Sequence, residues 1–468
     1  MRRSHRYLAP MFALLLTVVF SHHRLMAADI AARPNIIVIF CDDLGYGDLG
    51  CFGSEKIRTP NVDRMAAEGM RFTDFYSTSG VCSPSRSSLM TGCYPRRVNI
   101  HQNHNNLCVL FPADRKGLNP DEVTIAEVLK QAGYATMCIG KWHLGDQREF
   151  LPTRQGFDAY FGIPYSNDMG RKNIPLPLLR GETVIEAPVD QARLTGRYTE
   201  EAVRFIEAAK EKPFFIYLPH TFPHGPLFAS ERFRGKSQAG KYGDAVEEID
   251  YSTGEILGAL KRLDIDKNTL VVFTSDNGAS GGSNAPLRGK KGSTDEGGMR
   301  VPCVMRWPGR IPAGESCDRV TATIDLLPTF AGLAGVKVPA DRKIDGKDIW
   351  PLMAGQKDAK PPHEVFYYYQ MDQLQAVRAG RWKLHLAMES KKRNWGKPHG
   401  KTPLKLFDLE SDIHEDNDVS KQYPEAVKQL QELAEQARRD LGDVDRKGEN
   451  QRPAGWTDNA VPLLMAEP

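Results

Sequence analysis

Four short apolar runs, each stopping abruptly at polar and reactive residues, constrain this 468-residue chain more than any other feature. "NIIVIF" (35–40) ends at Cys41, Asp42 and Asp43, and "YATMCIG" (134–140) ends at Lys141, Trp142 and His143. "PFFIYL" (213–218) runs toward His220 and His224, and "TLVVFTS" (269–275) into Asp276 and Asn277. Continuous apolar runs suit strands buried on both faces, as in a parallel sheet covered by helices. Helical patterns lie between them: from Thr59–Pro60 to near Gly69, over 121–133, and over 199–210. Strand–helix alternation predicts an α/β fold with a mostly parallel central sheet. Ligands in such sheets sit at the carboxyl ends of the strands. The four polar clusters are therefore expected to converge on one edge.

The pattern changes near 353–363, "MAGQKDAKPPH", which reads as a linker. Beyond it, "EVFYYYQ", "LQAVRAG", "RWKLHLA" and "LKLFDLE" predict an antiparallel meander, and 424–440 an amphipathic helix. The expected organisation is a segment 1–28, a large domain 33–355, a smaller α+β domain 364–445, and a tail 446–468 of little pattern. The first segment has the order of a secretory signal peptide: Arg2, Arg3 and Arg6, an apolar run 7–20, then Ala27 and Ala28. The apolar run is short for a membrane span, and no later stretch is long and apolar enough, so the expectation is export without a stable membrane span. The formal charge is +3, and removing Arg2, Arg3, Arg6 and Arg24 with no acidic residue leaves −1. That argues against a nucleic-acid partner, which needs a basic surface. Eight cysteines contain no CxxC pair, so a thiolate zinc site is not expected. In an oxidising compartment some could form disulfides, whose pairing spacing alone does not reveal.

Asp42 and Asp43 are adjacent carboxylates at a strand end. Neighbours on a regular strand point to opposite faces, so both meet one ion only if the backbone turns there, which Gly45 and Gly47 permit. With Asp276 and Asn277 they make a hard oxygen set suited to Ca²⁺ or Mg²⁺. Each motif alone reads more often as an Asp/Asn/Gly turn. "VCSPSRSSLMTG" (81–92) reads as Ser83 and Pro84 opening a helix that ends at Gly92. That places Cys82 at the positive end of a helix dipole, where a thiol pKa falls. A soft sulfur beside hard oxygen ligands is a misfit. On local chemistry alone Cys82 is a small buried cysteine. "HQNHNN" (101–106) reads as a polar loop and "DLESDIHEDND" (408–418) as a solvated turn, since the latter lacks the EF-hand glycine and terminal glutamate.

"CSPSR" followed by "SSLMTG" resembles the sulfatase signature, Cys-x-Pro-x-Arg with Thr-Gly downstream. "RPNIIVIFCDDLGYGDLGCFG", "RFTDFYS", "AGYATMCIGKWHLG", "PHTFPHGPLF", "FTSDNGA" and "LRGKKGSTDEGGMRVP" are similar to further sulfatase blocks, in that family's order. "GIPYSNDMG" (162–170) resembles the arylsulfatase A branch in particular, and "LFDLESDIHED" the family's C-terminal domain.

The resemblance implies an alkaline-phosphatase-like α/β sandwich with a smaller C-terminal α+β domain, and a sulfuric ester hydrolase acting on aryl, carbohydrate or glycolipid sulfates. It implies that Cys82 is converted by a formylglycine-generating enzyme to formylglycine, an aldehyde that hydrates to a gem-diol. One hydroxyl then attacks sulfur and the second lets sulfate leave, which a serine cannot provide. By motif position Asp42, Asp43, Asp276 and Asn277 bind the metal, expected to be Ca²⁺, and the modified Cys82 touches it. Arg86 holds the nucleophile, and Lys141 and His143 match the "GKWH" block, with His143 as base. His224 and Lys291 are candidates for the acid that protonates the leaving alcohol. Lys291 adjoins Lys290, so its register rests on counting back from Glu296. Lys141, His224, Lys291 and Ser166 are also expected to contact substrate, while His220 reads as a loop histidine. The competing readings are a phosphodiesterase or phosphonate hydrolase of the alkaline phosphatase superfamily, and a sulfated-glycan binding protein with an unmodified thiol.

Overall fold

The computed structural model describes residues 33–394 and 398–465; the signal-like segment 1–28 lies outside them. Pro34–Pro468 forms one compact unit. Its centre is a ten-stranded sheet. In chain order the strands are β1 (Asn35–Cys41), β2 (Met70–Phe72), β3 (Ala135–Ile139), β4 (Ala159–Gly162) and β5 (Leu178–Arg180). They continue as β6 (Thr183–Glu186), β7 (Phe214–Pro219), β8 (Thr269–Ser275), β9 (Cys303–Arg306) and β10 (Glu315–Cys317). The spatial order is β10-β2-β9-β8-β1-β7-β3-β4-β5-β6. The four apolar runs of the sequence are β8, β1, β7 and β3, adjacent and all parallel. Antiparallel pairing is confined to the flanks, at β8–β9, β9–β2, β4–β5 and β5–β6.

Alternation along β1 builds two cores at once. Ile36, Val38 and Phe40 face one layer of helices, and Ile37, Ile39 and Cys41 the other. The helices include α1 (Pro60–Ala67), α2 (Cys82–Thr91), α3 (Ile125–Gln131), α4 (Leu194–Ala209), α5 (Gly240–Arg262), α6 (Glu296–Met299) and α7 (Leu326–Ala334), with one further short turn at Trp350–Met353. Helices α2, α3 and α7 cover the first face through Leu89, Leu129 and Phe330. Helices α1, α4 and α5 cover the second through Met65, Ile206 and Ile249. Helix α3 starts four residues later than the pattern predicts, because Thr124 and Glu127 close a reciprocal capping box. Thr59 precedes α1 but makes no cap bond; its hydroxyl instead donates to Asp63 and accepts from the Gly50 N–H. Helix α4 begins at Leu194, ahead of the expected 199.

The meander is as expected: β11 (Phe366–Gln370), β12 (Gln373–Ala379), β13 (Trp382–His385) and β14 (Lys405–Asp408) pair antiparallel in sequence order. Helix α8 (Pro424–Leu441) lays Leu430, Ala434, Ala437 and Leu441 on this sheet. Tyr76, Met299 and Ile324 of the large part join the same apolar cluster. The tail is more ordered than its composition implies: Gly455–Trp456 pairs with Lys116–Gly117, and Arg452 bonds Glu122. Two-residue strands carry no periodicity from which to read them. The eight cysteines are all unpaired, and seven are buried, as suits small apolar side chains. No helix among the described residues is long and apolar enough to cross a membrane.

Candidate active site

Strands β1 and β8 run in register to Cys41↔Ser275, so Asp42–Asp43 and Asp276–Asn277 emerge side by side. All four residues are at most 2 % exposed. The turn that aims both aspartates inward is made by Asp43 itself, whose φ is 66°. Such a backbone costs a non-glycine residue about 1–2 kcal/mol. It is held by the Asp43 N–H donating to Asp276 Oδ1 (3.1 Å) and by the Tyr242 hydroxyl donating to the Asp43 carbonyl (2.9 Å). Gly45 and Gly47 serve close approach instead of the turn: a Cβ on Gly45 would lie 2.2 Å from the Ser283 carbonyl oxygen.

Cys82 is the first residue of α2, with Val81 as N-cap, a correction to the expected Ser83 cap. The Ser83 hydroxyl instead accepts from the Leu110 N–H. Cys82 Sγ lies 3.5 Å from Asp42 Oδ1 and 3.6 Å from Lys291 Nζ. Burial pushes the thiol well above its usual pKa, against the pull of Lys141 and Lys291. Desolvation thus opposes the fall that a helix start favours, in keeping with a small buried cysteine.

Arg86, one turn on, is fully buried. Its Nε and Nη2 both donate to Asp276 Oδ2 (3.2 and 2.8 Å), and its Nη1 to the Lys141 carbonyl (2.9 Å). Lys141 Nζ bridges Asp42 Oδ2 (2.6 Å) and Ser166 Oγ (3.1 Å). Lys291 Nζ donates to Asp43 Oδ2 at 2.8 Å, while the adjoining Lys290 is exposed. His224 Nε2 stands 3.9 Å from Asp43 Oδ2, while its Nδ1 bonds Asn167 Oδ1 at 3.0 Å. Every predicted site residue except His143 thus touches the cluster or a group within it. His143, at the end of β3, is tied by Nε2 to the Leu110 carbonyl (2.9 Å). It also has a left-handed backbone, φ 61°.

The electrostatics divide the carboxylates. Burial works against Asp42, but Lys141, with His224 and Arg86, holds it well below the usual range. Burial and the Asp42 charge push Asp276 up. Burial, with Lys141 and Arg86, holds His143 well below an ordinary histidine, so its ring is neutral. The carbonyl can only accept, so the ring proton sits on Nε2 and Nδ1 carries a lone pair. That Nδ1 is buried and has no partner, and neither has Asn277 Oδ1. An unsatisfied buried acceptor costs about 1–3 kcal/mol. Like-charged carboxylates with an orphaned amide oxygen beside them fit a hard divalent cation. One ligand atom each from Asp42, Cys82 and Asp276 lies within 4.8 Å of the others, and so does one each from Asp43, Cys82 and His224.

Three residues were not singled out by the sequence: Asn167, which orients His224; Tyr242, which braces Asp43; and Leu110, which sets the His143 tautomer through its backbone. Asn167 follows Ser166 directly, a signal that was available. His220 is the first loop residue after β7, as read, but it is fully buried, its N–H bonded to the Phe40 carbonyl.

A parallel sheet whose strand ends gather carboxylates, lysines and one thiol at a helix start defines a hydrolase of tetrahedral oxyanion esters. The sulfatase family model matches residues 34–336, and a model described as N-sulphoglucosamine sulphohydrolase, C-terminal, matches 290–440. The chain belongs to the sulfatase family and is a sulfuric ester hydrolase. It is 43% identical over 394 residues to N-acetylgalactosamine-6-sulfatase of Canis lupus familiaris, covering 79% of this chain and 75% of that protein. It is 40% identical over 390 residues to arylsulfatase A of Homo sapiens, covering 76% and 75%. Among solved structures, the PsFucS1 sulfatase from Pseudoalteromonas sp. superposes with a TM-score of 0.79 at 28% identity, covering 90% of this chain and 93% of that one. The alkaline-phosphatase-like fold agrees with the sequence reading.

Proposed function

We propose that this enzyme releases inorganic sulfate from sulfate esters of the carbohydrate class, using a formylglycine at position 82 and a bound Ca²⁺, in an exported compartment. The observation that supports the reading best is the set of cations around Cys82, Lys141, Lys291 and Arg86, set against buried carboxylates with the Asn277 acceptor unpaired. Asp42, Asp43, Asp276 and Asn277 would hold the metal, with position 82 beside them. Aldehyde hydrate and metal together supply an activated oxygen nucleophile and Lewis-acid stabilisation of negative charge.

The remaining work falls to the chain's own side chains. Lys141 and Lys291 bind the equatorial oxygens of the sulfate, and their charge is worth most in a dry site. Arg86 spans Asp276 and the Lys141 carbonyl, so it keeps the two strand ends at a fixed separation. Ser166 orients the Lys141 ammonium. His143 Nδ1 accepts a proton when sulfate is released, because Leu110 holds the ring in the tautomer with a free lone pair there. His224 or Lys291 donates a proton to the departing alcohol oxygen, both lying beside Asp43. Export fits the arginine-led segment 1–28, and the rest of the chain divides into a large domain 33–355 and a smaller one 364–445. The names of the relatives, which include N-acetylgalactosamine-6-sulfatase, point to sulfated sugars as substrates.

The test compares turnover of a matched aryl sulfate and aryl phosphate, followed by a panel of sulfated sugars, with Cys82→Ala as blank. The reading expects sulfate turnover to dominate and the blank to lose at least about 10⁴-fold, the scale of removing a covalent nucleophile. A strong phosphate preference would overturn it. So would an intact thiol at Cys82 in fully active exported protein.

A further inference from the structure

The turn 412–417 reads in sequence as a solvated acidic loop, yet Glu415 is 1% exposed. Its backbone is left-handed, with φ 61°, at a cost of about 1–2 kcal/mol. Its Oε1 accepts from His385 Nε2 (2.7 Å) and Lys383 Nζ (3.0 Å) of β13. Its Oε2 accepts from the Glu296 N–H (2.8 Å), and its own carbonyl accepts from Arg288 Nη1 (3.0 Å).

Arg288 and Glu296 are the two stems of the loop that carries Lys291. The loop closes where the Gly297 N–H donates to the Arg288 carbonyl at 2.7 Å. A second tie to the small sheet runs from Thr294 Oγ1 to Gln375 Oε1, 2.9 Å. At the tip, the Lys291 and Gly292 N–H groups donate to the carbonyls of Ala279 and Gly80. Those bonds set the height of the tip, and the stems set its approach. Glu296 is itself anchored by Tyr368, Lys383 and Tyr76. Asp295, His385 and Glu415 lie close enough to hold a metal, but Lys383 and His385 already donate to Glu415 and Arg288 stands beside it. The trio is a clamp and not a cation site.

We propose that Glu415 is a positioning residue for the reaction: it grips both stems of the 288–296 loop and so sets where the Lys291 ammonium stands against Asp43 and position 82. This rests on the reading of Lys291 as a sulfate-binding group. A misplacement of about 1 Å costs about 10²-fold in rate, which a stem release can produce.

The test uses full-length exported protein with Cys82 conversion verified by peptide mass, and reads kcat, KM and Tm on an aryl sulfate. Glu415→Gln, which keeps shape and removes charge, is expected to lower kcat about 10- to 100-fold with KM moving less than about threefold. Thr294→Val is expected to lower kcat by about threefold, on the same scale. Asp440→Asn loosens a different, partly exposed tie, to Arg97 and Lys343; it should lower Tm while leaving kcat within about twofold. Unchanged kcat in Glu415→Gln overturns the clamp, as does an equal kcat loss in Asp440→Asn, which would tie activity to general stability. If Glu415→Gln does not fold, full kcat in Thr294→Val overturns it. Lys291→Ala separates the levels: full activity there removes the reading of Lys291 and the clamp with it. Lost activity there with none lost in Glu415→Gln removes the clamp alone.

Discussion

Two buried charge clusters stand some residues apart in this chain and are made of the same side-chain types. Around Glu296, the acids Glu296, Glu415 and Asp74 meet Lys383, Arg300, Arg378, Tyr76 and Tyr368. Around Asp43, the acids Asp42, Asp43 and Asp276 meet Arg86, Lys141 and Lys291. The first holds Glu296 and Glu415 down: Lys383 and Arg378 outweigh burial at Glu296, and Lys383 and His385 do so at Glu415. The second leaves Asp276 pushed up, Asn277 Oδ1 and His143 Nδ1 unpaired, and two residues in left-handed backbone. Burying charge is expensive in both places. Left-handed backbone occurs in the first as well, at Glu415; only where the pairing is incomplete is something further to be bound or moved.

Removing a charge from each cluster tests that contrast most severely. Glu296→Gln leaves Lys383 with Glu415 alone and Arg378 with Asp74 alone and should cost about 3–5 kcal/mol of stability, the usual loss when one partner of a buried pair is removed. Asp276→Asn relieves repulsion in metal-free protein. It also takes a buried partner from Arg86, which keeps Asp42 at 3.4 Å and the Lys141 carbonyl, so in chelator it should destabilise by less than Glu296→Gln does while abolishing sulfate release. Chemical denaturation in chelator measures the first quantity and a sulfate assay the second; equal destabilisation by the two substitutions would erase the distinction. A smaller effect is expected at His143. Asparagine tolerates the left-handed backbone but lacks the imidazole, so His143→Asn should fold normally and lose about 10²- to 10⁴-fold in kcat, the scale of a general base. Retained turnover would remove His143 from the reaction. The smallest effect concerns a fully paired histidine. Burial opposes the His363 charge, but Asp325, 2.7 Å away, raises its pKa above the ordinary value. The pair's stabilisation is complete below about pH 6.5 and is lost as pH rises through the raised value. Between pH 6 and 9 the His363→Gln variant should therefore lose less Tm than wild type; identical slopes would contradict the assignment.

The central strands were legible because burial on both faces leaves uninterrupted apolar runs, and a run that ends at Asp42 or Asp276 marks its own carboxyl end. The oxygen set Asp42, Asp43, Asp276 and Asn277 follows from that rule, since position along a parallel strand fixes it, whereas the role of Lys141 came only with the resemblance. Cys82, Arg86 and Lys291 needed the resemblance, because a loop residue's approach to a strand end is set by tertiary contacts. What stayed hidden were left-handed Asp43 and His143, where one would expect glycine to turn the chain. Also hidden was Glu415, whose acidic neighbours Asp416 and Asp418 are exposed and mask the one buried residue beside them.

The most direct test of the account is calcium-dependent thermal unfolding of wild type and Asp276→Asn after exhaustive chelation. The account predicts that Ca²⁺ raises the Tm of wild type in a concentration-dependent way, as a ligand of the native state must, and that the asparagine variant loses most of that rise. A wild-type Tm indifferent to Ca²⁺ and Mg²⁺, or an equal rise in both proteins, would contradict it.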